Sequence, residues 1–229
     1  MKLFGPVAVA ATVALVCSGA AFASPNWTYV DANFYMVDAA IDDSDNMAFG
    51  LAGSFGFADF GHLGLSYRDG DIEVVPNSCL DYGGFEFNLG AHPHMTDKTD
   101  LLIDLVYVQY EGDFNRVPGE ISIVAYGIDA GVRSMITDKF ELNAIGSWLR
   151  GRVRNSITPF PTQDFNEITV ALGGQYYVSG SFAVGVVYTI NDPIATTFST
   201  TISNTPPPRT TDNCSNCDSL TFNLRWNFR

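Results

Sequence analysis

An all-β, antiparallel, up-and-down transmembrane barrel is the fold class that this 229-residue sequence predicts, and three observations predict it. The chain is 46% hydrophobic and 13% aromatic, with only 16% charged residues, yet after its first two dozen residues no apolar run is long enough for a membrane-spanning helix. Apolar residues instead recur with a period of two, so each strand has one apolar and one polar face. The connections between these strands alternate between short turns and longer polar loops, as in a barrel with turns on one side of a membrane and loops on the other.

The elements follow in order. Lys2, the apolar run Val7 to Val16 and the small-residue approach to Ala21-Phe22-Ala23 predict a cleaved leader over 1–23 and a mature barrel over 24–229. Strands are predicted at 27–37, 47–57, 62–74, 82–91, 100–110, 120–133, 140–152, 166–178, 182–190 and 219–228. The alternation is clearest in Phe49/Leu51/Phe55/Phe57, in Phe85/Phe87/Leu89, in Ile168/Val170/Leu172/Tyr176 and in Phe182/Val184/Val186/Tyr188. It closes the chain in Leu220, Phe222, Leu224, Trp226 and Phe228. Most strands reach the 9–11 residues that a tilted strand needs to cross the hydrocarbon. An even count puts both termini on one side, so ten strands are predicted, with eight as the alternative.

Short turns follow the second, fourth, sixth and eighth predicted strands: Ala58 to Gly61, His92 to Thr99, Ile136 to Lys139 and Ser179 to Ser181. Two of them carry a weak repeat, Met95-Thr-Asp-Lys98 and Met135-Ile-Thr-Asp-Lys139, two strands apart and so expected on the same side. The other connections are mostly longer and polar or proline-bearing, the last running from Asn191 through Pro206-Pro-Pro208 to Cys217.

The polar faces decide between a sandwich and a membrane barrel. They carry charges of both signs and small residues such as Ala48, Gly50 and Ser54, which suit a narrow lumen. An inward network of Glu86, Asp104, Asp129, Arg133, Glu167 and Arg225 is expected, paired because unpaired buried charge is costly. Trp27, Trp148 and Trp226, near strand ends, are expected in the aromatic girdles.

On these residues the sequence resembles the small Gram-negative outer-membrane β-barrel proteins, typified by the transmembrane domain of outer membrane protein A and by the attachment-invasion and X-type proteins. The resemblance covers 24–229 and is architectural. It implies location in the outer membrane, with lipid and lipopolysaccharide around the barrel. It also implies an assembly signal in Phe222, Trp226 and Phe228, which the barrel-assembly machinery reads. Arg229 departs from the pattern in which the aromatic residue stands last.

Function classes narrow accordingly. The net charge of −13, or −14 once Lys2 leaves with the leader, argues against nucleic acid as a partner. A barrel this narrow is filled largely by side chains, so a structural or surface-binding role is expected, with a narrow channel and a barrel enzyme as the competing classes. The surface ligand is unknown. No catalytic motif, cofactor or metal site is predicted. The mature chain has only His62, His92 and His94, which are expected as exposed histidines of the turn side or as the start of a strand. The acidic stretch Asp42-Asp43-Ser44-Asp45 lacks the glycine and closing glutamate of an EF-hand loop. Arg150, Arg152 and Arg154 are candidates to meet lipopolysaccharide phosphates or to pair with neighbouring acids. Cys79, Cys214 and Cys217 fall in predicted outer loops, where a bridge within the Cys214/Cys217 pair or back to Cys79 would staple the last loop.

Overall fold

The computed structural model describes residues 25–37, 46–75, 78–114, 119–156, 162–192 and 218–228. The leader, the Asp42–Asp45 stretch, Cys214, Cys217 and Arg229 lie outside the described residues. Among the described residues eleven strands form one antiparallel sheet: β1 (Tyr29–Val37), β2 (Asn46–Phe57), β3 (Gly61–Val75), β4 (Ser78–Ala91), β5 (His94–Thr96), β6 (Thr99–Phe114), β7 (Glu120–Thr137), β8 (Phe140–Asn155), β9 (Gln163–Tyr177), β10 (Phe182–Ile190) and β11 (Ser219–Asn227). Ten of them close into a ring, because β4 pairs with β6 and β1 pairs with β11. The three-residue β5 is an extra piece inside the β4–β6 turn. The eight-strand alternative therefore falls away.

The alternation sorts the strands' side chains. On β1 the odd-numbered residues face the lumen; on β11 Thr221, Asn223, Arg225 and Asn227 are buried inside, while Phe222 and Leu224 stand exposed on the outside. Ile103, Leu105, Ile128, Ile168, Leu172, Val184 and Val186 continue that exposed apolar band around the barrel. Such a surface requires lipid, since water would leave it unsolvated over most of the perimeter.

Four expected strand ends need correction on the loop side: β4 starts at Ser78 and not at 82, β6 runs to Phe114 and not 110, β8 to Asn155 and not 152, and β9 starts at Gln163 and not 166. With β3 and β7 these strands run 14 to 18 residues, longer than a crossing demands, and only residues 76–77 separate β3 from β4. The extra length obeys the opposite polarity. On β6 the outward row passes from Leu101, Ile103, Leu105 and Tyr107 to Gln109, Glu111 and Asp113, while the inward row passes from Asp100 and Asp104 to Val106, Val108 and Tyr110. On β8 Arg150, Arg152 and Arg154 face out beyond Trp148, with Leu149 and Val153 buried behind them. Ile72, Leu80, Tyr82, Val106, Val108, Tyr110, Ile121, Ile123, Ala125, Leu149 and Val153 thus form an apolar core inside a wall that rises above the membrane. Outward Tyr67, Phe85, Tyr107, Tyr126 and Trp148 mark the level of the switch.

At the opposite end the repeated turns behave alike. Lys98 N–H donates to Thr96 Oγ1 and Lys139 N–H to Thr137 Oγ1, and the two turns touch through Met135 N–H to Lys98 O at 2.8 Å.

The raised wall makes a stability prediction. Ile123→Ala, which empties a buried site, should cost about 2–5 kcal/mol, whereas Val124→Ala on the wet outer face should stay within about 0.5 kcal/mol, both read from denaturant unfolding of the refolded barrel. Equal effects would mean that the polarity of the upper wall is assigned the wrong way round.

Candidate functional site

The lumen is built in three levels. At the turn-side end lies a floor of ion pairs that register brings together. Asp31 and Arg225 are direct partners across β1 and β11, and Arg225 donates from Nε and Nη2 to the two carboxylate oxygens of Asp31 at 2.8 and 2.7 Å. Arg133 donates from Nε and Nη2 to Glu141 at 3.0 Å each, Tyr177 donates its hydroxyl to the same carboxylate at 2.8 Å, and Arg225 Nη1 lies 3.8 Å from it. Glu141 is fully buried, so it needs both cations. Each guanidinium also lies over an aromatic ring, Arg133 at 4.3 Å from Trp27 and Arg225 at 3.7 Å from Tyr29.

Trp27 therefore sits inside the floor, not in an outer girdle; it is buried, stacked on His62 and His92 at 4.5 and 4.3 Å, and its indole N–H donates to Asp100 at 2.6 Å. The expectation of exposed turn histidines needs the same correction. His62 and His92 are buried with their Nδ1 atoms 3.1 Å apart, and His62 Nε2 lies 3.0 Å from Asp104; only His94 is exposed, and it meets Asp100 at 2.6 Å. Sequence position put these histidines at a turn, but an apolar indole beside a pair of imidazoles is better buried than wet. Burial, followed by the proximity of His62, pushes His92 down to about 4, so this residue of the β4–β5 connection is neutral at pH 7.

The top level is the apolar core of the wall with one ion pair in it. Arg68 donates to Asp192 at 3.0 Å and lies 4.2 Å from the Tyr35 ring; Ser219 also donates to Asp192, at 2.8 Å. Asp192, just past β10, reaches down into the lumen and ties the start of the last connection to the barrel. Asn191 beside it takes φ 56°, a left-handed backbone that asparagine tolerates.

Between floor and roof lies a cavity of about 320 Å³ lined by Glu86, Asn88, Asp104, Asp129, Asn143, Gln175, Thr221 and Asn223, among others. Its width depends on glycine. Asn88, Asp104, Asn143 and Asn223 each stand opposite a glycine on the neighbouring strand, respectively Gly64, Gly90, Gly173 and Gly185. In each pair the polar oxygen lies flat across the glycine, within 1.6 to 2.5 Å of where a Cβ would be. Any larger residue there would push the polar side chain into the open space.

Of the six expected lumen residues, all face inward, but the ion pairs differ from the expected set. Arg133 and Arg225 pair with Glu141 and Asp31, which sequence reasoning had not placed in the network, while Glu86, Asp104 and Asp129 line the cavity. Glu167 faces inward on β9 above them. The Asp31–Arg225 partnership needed the closing register, which no local pattern shows. Phe222 and Phe228 are exposed on the outer face and Trp226 is half-buried there; Cys79 lies in β4, and its candidate partners are outside the described residues. Among the described residues no group of three or more His, Cys, Asp or Glu is arranged to hold a metal.

No protein-family profile matches the chain, and no curated protein matches it in sequence. Solved structures do. The chain is similar to the outer membrane protease OmpT of Escherichia coli, with 11% identity, 88% of this chain and 94% of that chain covered, and a TM-score of 0.53. It is also similar to the NanC porin, with 10% identity, 87% and 100% coverage and a TM-score of 0.47. A third is the attachment invasion locus protein Ail of Yersinia pestis in complex with the heparin analogue sucrose octasulfate, with 9% identity, 87% and 98% coverage and a TM-score of 0.39. The likeness is one of fold: this chain has the fold of the small barrels of the Gram-negative outer membrane.

The floor predicts a sharp contrast. Glu141→Gln leaves the buried guanidinium of Arg133 against a neutral amide in place of its carboxylate, while Arg225 keeps Asp31, and should destabilise the refolded barrel by about 3–5 kcal/mol. Lys98→Ala, which removes an exposed pair with Asp138 at 3.7 Å, should cost less than about 1 kcal/mol in the same unfolding assay.

Proposed function

We propose that this protein is an outer-membrane barrel closed to bulk solute, whose role is structural or surface-binding and is exerted by its raised wall and loops. The observation that carries this reading is the packing of side chains inside the ring at two levels, the Arg133–Glu141–Arg225–Asp31 floor and the apolar core around Arg68. Residues 1–23 serve as the export leader. The surrounding partners are membrane lipid and lipopolysaccharide, with Arg150, Arg152 and Arg154 facing out just above Trp148, where outer-leaflet phosphates lie. Arg152 already holds Asp164 at 2.9 Å, so phosphate would compete with that pair. One observation favours a narrow channel as the second reading, namely the polar cavity between the two levels. A protease reading by analogy with OmpT has less support here, because the His62–Asp104 and His94–Asp100 pairs lie at the end of the short turns and the termini.

Planar-bilayer recording of the purified barrel tests this. No stepwise open-pore conductance is expected from the unmodified protein. Steps of porin size would overturn the closed-lumen reading and leave the channel in its place.

The outer face of β11 is proposed as the signal that the barrel-assembly machinery reads, through Phe222, Trp226 and Phe228. Phe228→Asp should lower the yield of inserted barrel in cells although its direct cost near the interface is only about 0–1 kcal/mol. Asn227→Ser, on the buried lumen side, should insert normally. The measurement is the heat-modifiable band in the outer-membrane fraction, and the reverse pattern would invert the assigned phase.

A further inference from the structure

All three arginines of the described lumen are already held. Arg133 and Arg225 are each chelated by a carboxylate and covered by an aromatic ring, and Arg68 is held by Asp192 and Tyr35. Among the described residues no arginine or lysine stands within 4.0 Å of Glu86, Asp104 or Asp129. These three carboxylates project from the adjacent strands β4, β6 and β7 into the cavity, and His62 is the one basic partner among them, on Asp104. The cavity wall opposite is rich in neutral acceptors above the Asp31–Arg225 pair, which with Arg133 lines the base of the cavity. Gln175 and Asn223, each more than nine-tenths buried, keep Gln175 Oε1 and Asn223 Oδ1 without a hydrogen-bond donor. Buried acceptors left unpaired are costly, and so is uncompensated negative charge. A group that is both positive and rich in N–H donors would satisfy both walls together.

We propose that this cavity is a binding site for a small hydrophilic ammonium ion. A metal ion fits it poorly, because no three of its acidic or imidazole groups converge on one point among the described residues. The space of about 320 Å³ suits an amine of a few heavy atoms with its remaining hydration. The glycines opposite Asn88, Asp104, Asn143 and Asn223 keep that space from being filled by the protein's own side chains. Nη1 of Arg133 and Nη1 of Arg225, on the floor, are among the buried donors without a hydrogen-bond partner, so a hydroxyl beside the ammonium group would find donors below it. The site stands apart from the conductance question, since a closed or an open lumen presents the same walls.

The test uses ethanolammonium as probe and ethylene glycol as its neutral counterpart, added either before refolding, so that a closed cavity can load, or afterwards, with binding measured by isothermal titration and by the shift in unfolding midpoint. Saturable binding of ethanolammonium and none of ethylene glycol is expected. In Glu86→Gln/Asp129→Asn the dissociation constant should rise by roughly tenfold or more, since each carboxylate contributes at close range in a low-dielectric space. Asp164→Asn, on the outer surface, should leave it unchanged. Heat-modifiable mobility establishes that each variant is folded, and the comparison of the two probes on the unmodified barrel decides the matter even where the double variant fails to fold. Absence of saturable binding in both loading orders, equal binding of ethylene glycol, or undiminished binding in the folded double variant would each overturn the proposal.

Discussion

Every second side chain of a ten-stranded ring points into a narrow space that lipid does not reach, and the rest of this structure follows from what the chain puts there. A charge in that space must find its partner within the ring. The floor meets this condition by sharing. Glu141, with no exposed surface, serves Arg133 directly, Tyr177 by a hydrogen bond and Arg225 at 3.8 Å, while Asp31 takes the second guanidinium edge of Arg225 across the closing seam between β1 and β11. The pairs thus connect β1, β7, β8, β9 and β11, so ring closure and charge neutralisation depend on each other. Trp27, just before β1, adds a lid of aromatic surface over Arg133 and the two imidazoles.

The second consequence appears where the strands leave the membrane. Lipid outside allows a polar interior, but water outside does not require one, and an enclosed space above the membrane is stabilised by apolar burial like the core of a soluble protein. The wall of β3 to β9 responds by exchanging its faces, with Asp69, Glu111, Asp113, Arg150 and Arg152 outside and Ile72, Val106, Ile123 and Val153 inside. Arg68 is the one cation carried into that apolar level, and Asp192 and the Tyr35 ring hold it there. The start of the last connection is thereby drawn onto the mouth of the barrel.

The third consequence is the space left between. A lumen filled by large side chains throughout would need no glycine, yet four polar residues of the cavity wall each lie against one across the ladder. The backbone itself becomes the wall at those points, and polar groups remain in reach of whatever occupies the cavity. The acidic side of that wall faces an acceptor-rich side, an arrangement that water can solvate and that a cationic donor would complement better.

Residue pattern alone determined the fold class, the ten crossings of the membrane, the inward direction of Glu86, Asp104, Asp129, Arg133, Glu167 and Arg225, and the outward row of Phe222 and Phe228, because a period of two is a local property that any lipid-facing strand must display. It also located the paired Thr-Asp-Lys turns, whose matching hydrogen bonds are local. The long strand ends escaped it because their polarity is reversed, so an outward Asp81 or Arg154 reads as loop when the apolar face is taken to be the outer one. The histidines and Trp27 escaped it because whether a residue next to a turn is wet or enclosed depends on what the other strands bring to the same level. Only the tertiary structure decided which acid meets which arginine, since the Asp31–Arg225 bond joins residues 194 apart and exists only where β11 returns to β1 in register. Facing is set by neighbours in sequence, whereas partnership is set by closure of the ring.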